Sequence, residues 1–380
     1  MKRCILFFFS VLIFGSVFVN AEPRINVKGK IQRIKEKMAE PFDTTRDSGY
    51  WKRALRHGKL NINDTTIDYP SFLDFCVKVY RWGDKAFNSY DSTYVVSTKK
   101  NWKLMLKNNN WLSSYNGHLY DRNFPIAMHS NLTSSFGVQL SFMAVSLSYM
   151  MNLNDLISGH KVKNKKFDFS FTCSRLHAST YYYKGDYPYY IRIYGDYKSD
   201  DLKGFKFEGV SSTLYGANLY YIFNHKHYSQ AAAYCFSKYQ RKSSGSFIAG
   251  FHAFHEDVLM DFTKIKDYNP ELEIVDNLAY KYNGYSLIFG YGYNWVLGKN
   301  WLFNITTIPG FGYRTSYITT AEEQKNFWSF DYHMKMGLVL NKGKFFYGLH
   351  FLTEGHWYLT KKTSLFSANH DLNAIVGFRF

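Results

Sequence analysis

Beyond Ala21 the sequence has no run of some 18 apolar residues, which excludes a membrane-spanning helix there. Cysteine is scarce and badly spaced for pairing. Of Cys4, Cys76, Cys173 and Cys235, three follow the N-terminal leader, and none forms a close pair. A disulfide framework and a zinc site of the usual spacing are therefore both unsupported, and these side chains read as small apolar residues in a core or against lipid. A Gly-rich phosphate loop and a nucleophile elbow are also missing. Gly290-Tyr-Gly-Tyr and Pro309-Gly-Phe-Gly read as strand glycines, where small residues ease curvature and close strand approach. No cofactor and no metal is expected.

The N-terminus carries Lys2 and Arg3, an apolar run from Cys4 to Phe18, and small residues at Val19 and Ala21, the pattern of a signal peptide over residues 1–21 cut before Glu22. No cysteine closely follows the run, which argues against a lipoprotein. Residues 22–98 form a distinct segment, periplasmic or luminal, with helical spacing at Ile31, Ile34 and Met38 and a second helical candidate after Pro70 (Phe72, Phe75, Cys76, Val79, Tyr80).

Aromatics are abundant: 33 Tyr, 34 Phe and 8 Trp make up 20% of the chain. Mean hydropathy is nevertheless −0.33, because after about residue 100 the apolar residues stand one in two. Tyr285, Leu287, Phe289, Tyr291, Tyr293 and Trp295 alternate with Ser286, Ile288, Gly290, Gly292 and Asn294, and Trp328, Phe330, Tyr332, Met334 and Met336 with Ser329, Asp331, His333 and Lys335. A period of two puts each set on one face of a strand. Lipid on one face and water or protein on the other would produce this pattern.

Residues 99–380 thus read as an all-β, transmembrane antiparallel β-barrel of about twelve strands, with ten to fourteen allowed, preceded by a short, partly helical N-terminal segment. Strands fall near 102–110, 134–150, 166–182, 188–197, 205–223, 230–240, 246–257, 284–296, 300–316, 326–340, 344–358 and 366–380. Asn341–Lys344, Leu297–Asn300 and Gln240–Gly245 are short enough for periplasmic turns, while the insert 257–283 falls outside. Asn152–Lys165 would be a long periplasmic connection, Met143–Leu147 a phase slip, and Pro309 a bulge at the outer rim.

The C-terminal strand 372–380 alternates Leu372, Ala374, Val376, Phe378 and Phe380, and resembles the strand that barrel-insertion machinery reads in bacterial outer membranes. A narrower resemblance lies at Phe87-Asn-Ser-Tyr-Asp-Ser-Thr-Tyr-Val-Val96 followed by Trp102-Lys-Leu-Met-Leu106. It resembles the opening of an uncharacterised outer-membrane family of Bacteroidota, domain of unknown function 4421, with Ser92 standing between Asp91 and Thr93. The resemblance implies a cell outer-membrane address in a Gram-negative organism and brings no activity or site residues.

With the aromatics turned to lipid, Arg314, Asp331, His333, Lys335, His350, Glu354 and Arg379 become the lumen candidates, with Asn304 and Asn373 among their polar neighbours. Mixed charges suit either a salt-bridged filling or a constricted path for anionic or polar solutes. The functional readings are a narrow channel or binding protein for a small polar solute or glycan, a structural or surface-interaction barrel without transport, and an outer-membrane lipid-modifying enzyme. For the last, His252 and His255 before Glu256 and Asp257 form the most suggestive cluster, although alternation puts the two imidazoles on opposite faces. A formal charge of +17 points to lipid phosphates, lipopolysaccharide and acidic glycans at a cell surface, not to nucleic acid.

Overall fold

The computed structural model of the 380-residue chain describes residues 43–57, 60–61, 64–100, 102–142, 145–152, 165–198, 206–267, 277–319 and 326–380. The signal peptide and the helical spacing of Ile31 to Met38 lie outside them. Two units divide between Asn88 and Ser89. In the first, α1 (Tyr50–Arg56) and α2 (Ser71–Phe87) contribute Ala54 and Val77 to a small core with Leu60, Ile67 and Tyr69. The helix starts directly after Pro70, where the chain can enter a helix without losing a backbone donor. Phe75, expected on its apolar side, is 63% exposed.

The second unit is built of strands in chain order: β1 (Val95–Ser97), β2 (Trp102–Leu119), β3 (Phe124–Ser130), β4 (Thr133–Phe142), β5 (Val145–Asn152), β6 (Lys165–Thr172), β7 (Leu176–Tyr194), β8 (Tyr197–Lys198), β9 (Lys206–Ile222), β10 (Lys238–Gln240), β11 (Ser244–Met260), β12 (Leu278–Leu297), β13 (Trp301–Thr319), β14 (Asn326–Lys342), β15 (Phe345–Leu359) and β16 (Thr363–Arg379). Following the hydrogen bonds from β16 through β15, β14, β13, β12, β11, β9, β7 and β3 leads to β2, and β2 pairs back onto β16 from Leu119↔Thr363 to Lys103↔Arg379. This ring of ten strands is closed, with every neighbour antiparallel.

Ten strands close that ring. Lower on β2, β4 replaces β3 as the partner, and β5 and β6 add two half-length strands against β4 and β7. Among the described residues the wall thus has ten strands at one end and the expected twelve at the other, where β5 and β6 stand next to each other without a ladder between them. The phase slip expected over Met143–Leu147 falls between two strands and not within one, because β4 ends at Phe142 and β5 begins at its partner Val145. Asn152 pairs with Ser135 and Lys165 with Lys184, so both ends of the expected periplasmic connection lie at mid-height, and residues 153–164 between them lie outside the described residues.

Two further expectations are corrected. Residues 230–240 are not a wall strand: Gln230–Tyr234 form a helix, α3, and β10 pairs with β1 in a separate two-stranded sheet. Ser229 caps α3 by accepting from the Ala232 amide at 3.2 Å, and the Ala231-Ala-Ala233 run favours helix. Pro309 stands in mid-strand with its side toward the lipid. It pairs with Tyr332, while the β12–β13 ladder lapses between Ile288↔Gly310 and Tyr291↔Thr307, where the missing N–H would have been needed.

The two ends of the wall differ. Phe380 pairs with Trp102 at the end that also carries the tight turns 297–301 and 342–345, with Gly298 and Gly343 at positive φ. Termini and short turns mark the periplasmic end. The strand ends at Tyr194, Met260, Leu278, Thr319 and Asn326 lie at the opposite, outer end. Outward residues such as Leu287, Phe289, Phe311, Trp328 and Phe330 are exposed, while Ser286, Ile288, Gly312, Ser329 and Asp331 between them are covered. Aromatic pairs stand on the outer surface at both ends, Trp295–Phe303 and Trp102–Phe380 at the periplasmic end and Phe311–Trp328 at the other. An apolar outside with aromatic rims on a closed wall requires lipid as the surrounding solvent.

Candidate functional site

The interior is filled in three layers. In the outer half, Tyr115, Tyr189, Tyr194, Phe207, Phe262, Tyr280, Phe327 and Tyr358 belong to one continuous buried cluster. Their rings interlock edge-on or stacked, with centroids 4.8 Å apart for Tyr280–Tyr358, 4.6 Å for Phe327–Tyr358 and 5.3 Å for Phe207–Phe262. Phe262 and Ile265 come from the short 3₁₀ segment Phe262–Asp267 after β11, which tucks both into this layer.

At the periplasmic end, the connection between β9 and β11 folds into the barrel as a plug. Its apolar part is Ala232, Ala233 and Phe236, with the Phe236 ring stacked on Phe346 at 4.5 Å and on His350 at 5.2 Å. Its polar part meets a ladder of wall amides: the Asn294 amide donates to the Ser229 carbonyl (3.0 Å) and to Gln240 Oε1 (2.9 Å), and Asn304 donates to Tyr228 Oη (3.1 Å) and accepts from Tyr234. Two wall cations cap the end of α3. Lys103 Nζ donates to the Cys235 carbonyl at 2.6 Å, and Arg379 Nε to the Phe236 carbonyl at 2.9 Å. Wall glycines make the room: a Cβ at Gly292 would stand 2.3 Å from Tyr228 Oη, and one at Gly348 2.5 Å from the Phe236 ring.

The plug is fastened by the segment before the wall. Asp91 donates its amide to the Lys226 carbonyl (3.0 Å), its carboxylate accepts from the Thr93 amide (2.8 Å), and its Oδ2 lies 3.5 Å from His227 Nε2. The Tyr94 ring packs on His227 at 4.2 Å, and β1 pairs with β10 immediately beyond the plug. Hydrogen bonds from Thr93, followed by the nearby His227, hold the Asp91 carboxyl below its ordinary value of 3.8. A depressed folded-state pKa gives stability that is complete above the ordinary value and is lost as pH falls through the folded one. Acidification from about pH 5 to about pH 3 is therefore expected to loosen the plug, raising proteolytic cleavage within 224–240. Asp91→Asn should raise cleavage at neutral pH and flatten that dependence.

Between these layers lies a hub of fully buried polar groups. Asp331 on β14 accepts from Arg314 Nη2 on β13 through Oδ1 and from the Ser286 hydroxyl on β12 through Oδ2. His356 Nδ1 on β15 lies 3.0 Å from Oδ1, and His252 Nδ1 on β11 lies 3.5 Å from Oδ2. The second nitrogen of His252 is 2.8 Å from the Tyr181 hydroxyl on β7. One carboxylate thus ties together six strands. The Arg314 guanidinium also lies over the Phe254 ring at 4.5 Å, a contact allowed by Gly284, whose Cβ would stand 2.3 Å from both Arg314 Nη1 and the Phe254 ring.

The seven lumen candidates divide among the layers. Arg314 and Asp331 form the hub. His333 Nδ1 lies 3.7 Å from Glu354 beside it, and Lys335 points its ammonium over the Tyr220 ring at 5.7 Å. His350 and Arg379 belong to the plug seat. Sequence reading passed over Tyr181 and His356 as hub members. His356 was recoverable, since it shares the parity of His350 and Glu354. Tyr181 was not, because its partner His252 is 71 residues away. His252 is fully buried in the hub, whereas His255 bonds Asn283 and stacks on Tyr215 on the other face.

A serine hydrolase arrangement is not what the hub presents: Ser286 donates to the carboxylate directly, with both imidazoles on the carboxylate as well. On the lipid-facing side, Ser114 Oγ lies 3.4 Å from His370 Nε2, and the other ring nitrogen faces Thr353, not a carboxylate.

Residues 89–380 match a family described as Domain of unknown function (DUF4421). The chain belongs to that family. Its matched region begins with the Asp91 segment that fastens the plug and runs to the last wall strand. No curated protein matches the chain. Among solved structures, it is similar to the outer membrane protease OmpT from Escherichia coli, at 7% identity over 75% of this chain and 98% of that one, with a TM-score of 0.34. It is also similar to the outer membrane protein OprG from Pseudomonas aeruginosa, at 9% identity over 74% of this chain and 97% of that one, TM-score 0.25. The P. putida toluene transporter TodX is 8% identical over 74% of this chain and 90% of that one, TM-score 0.25. At such scores likeness decides nothing, and the wall of this family member does: a closed antiparallel ring with lipid-facing aromatics resides in the outer membrane.

Proposed function

We propose that this family member is a closed barrel that works through its surface and outer loops, with no standing path for solute. The observation that carries this reading is the three-layer filling, in which an interlocked aromatic layer and a hydrogen-bonded plug stand in series along one axis. Beside Glu256 and Ser367 the interior space measures about 10 Å³, room for a single water. The charges that a solute would meet, Arg314, Asp331, His333 and Glu354, already satisfy one another. The other parts of the reading follow from sequence: export by a cleaved leader in a Gram-negative cell of the Bacteroidota, delivery of strand 372–380 to the insertion machinery, and contact of the basic surface with lipopolysaccharide phosphates.

Planar-bilayer recording tests it. The purified chain should give no discrete conductance steps, and replacing 227–240 by a short Gly-Ser linker should leave it silent, since the aromatic layer remains. Steps from the unmodified chain that change with Lys335→Ala or Arg314→Ala would sink the closed reading in favour of a narrow solute channel.

A further inference from the structure

Three imidazoles converge beside Asp331 at the centre of the barrel. His252 and His356 have ring centroids 5.4 Å apart, and His333 stands 4.7 Å from the first and 6.3 Å from the second. All three rings are buried, and each leaves one nitrogen without a hydrogen-bond partner: His252 Nδ1, His333 Nε2 and His356 Nε2. One ligand atom from each of His252, Asp331 and His356 can be chosen so that all lie within 4.8 Å of one another. Unsatisfied imidazole nitrogens in a dry interior are costly, and their convergence on one carboxylate asks for an explanation that packing does not supply.

We infer that His252, His356 and Asp331 hold one divalent first-row transition ion, Zn²⁺ foremost, with His333 beside the open position. Two imidazoles and a carboxylate are a nitrogen–oxygen donor set that zinc accepts in tetrahedral geometry, with metal–ligand distances of about 2.0–2.2 Å and hence donors roughly 3.3 Å apart. His252 Nδ1 at 3.5 Å from Asp331 Oδ2 has about that spacing, and at His356 it is Nδ1, 3.0 Å from Asp331 Oδ1, that faces the carboxylate, so the ion replaces that hydrogen bond and the ring proton moves to Nε2.

The surroundings fit the assignment. Tyr181 Oη lies 2.8 Å from His252 Nε2, and in the metal-bound state that nitrogen donates to the phenol oxygen while the lone pair of Nδ1 faces the ion. An outer partner that fixes the tautomer and aim of a ligating histidine is what metal sites generally possess. Arg314 and Ser286 take one position on each carboxylate oxygen, and an ionised carboxylate has about four. Charge balance also leaves room for a cation. Glu256, four residues from His252 along β11, is buried and accepts from the Tyr282 and Ser367 hydroxyls, and no basic side chain forms an ion pair with it among the described residues. Because the layers above and below the hub are filled, the ion enters as the barrel forms and exchanges slowly afterwards.

The test refolds the full chain into detergent with ZnCl₂, washes with chelator, and counts metal by elemental analysis. Folding of each sample is checked by the gel mobility shift on heating. About one ion per chain should survive the wash, and roughly a tenth of that or less in His252→Gln/His356→Gln, while His129→Gln, outside the hub, keeps it. Equal retention by unmodified and double-variant barrels, or none by either, overturns the site. If the double variant does not fold, Cu²⁺ is loaded into the unmodified chain instead. Nitrogen hyperfine structure from two imidazoles in its electron paramagnetic resonance spectrum supports the site, and its absence overturns it.

Discussion

Asp331→Ala is expected to destabilise the barrel by about 3–5 kcal/mol, the usual cost of stripping one partner from a buried ion pair. The size of the effect comes from what is left behind. Arg314 would remain fully buried without its carboxylate, Ser286 would lose its acceptor, and the two imidazoles would face a void. Urea titration in detergent, followed by tryptophan emission and by heat-dependent gel mobility, measures this. A midpoint unchanged from the parent chain would show that the hub contributes nothing to holding the six strands. Replacing the pair together, Arg314→Met with Asp331→Leu, should recover a good part of the loss, because a buried ion pair stabilises little over a well-packed apolar pair. Full recovery in the double replacement alongside a large single-site loss is the signature of a pair whose cost lies in being broken.

Phe236→Ala should cost a similar amount, roughly 3–5 kcal/mol, if the cavity does not collapse. Phe236 is 2% exposed, and its ring is clamped between Phe346 and His350 over Gly348. The wall itself is held by its own ladders, so the loss should appear locally first. Limited proteolysis from the periplasmic side should cut within 224–240 while the heat-shifted band of the folded barrel persists. Arg379 sharpens the point: it donates to the Phe236 carbonyl, to Asn341 Oδ1 at 2.6 Å and to Tyr239 at 3.2 Å, and lies over the Phe346 ring. The strand expected to serve insertion also carries the residue that latches the plug. An Phe236→Ala barrel that resists protease as the parent does would mean that the amide ladder of Asn294 and Asn304 holds the plug alone.

The strands from β11 to β16 were legible because one physical rule governs all of them. Lipid outside and protein inside enforce a period of two, and tight turns such as Asn341-Lys-Gly-Lys344 leave one choice of register. The same rule explains where reading failed. Tyr234, Phe236 and Lys238 to Gln240 carry a local alternation, yet they pack against the inside of the wall, where a helix end and a short strand meet the same apolar surface. Taking 230–240 as a wall strand reverses the direction of 205–223, and dividing 176–194 in two restores it, so the count reached twelve with the wrong members. The half-length strands β5 and β6 fall inside the expected strands 134–150 and 166–182, merged with β4 and with the start of β7, for a related reason. Alternation reports which face is buried, not how far up the wall a strand climbs.

Sequence by itself determined the closed, two-faced wall, the outward aromatics and the inward set that includes Arg314, Asp331, His333, Lys335, His350, Glu354 and Arg379, because side-chain parity is a local property of extended backbone. Tertiary structure alone decided that the interior is filled, that the plug comes from the connection between β9 and β11, and that His252, Tyr181 and His356 meet at Asp331. Those facts depend on which strands face one another across the axis, and no periodicity along a single strand carries that information.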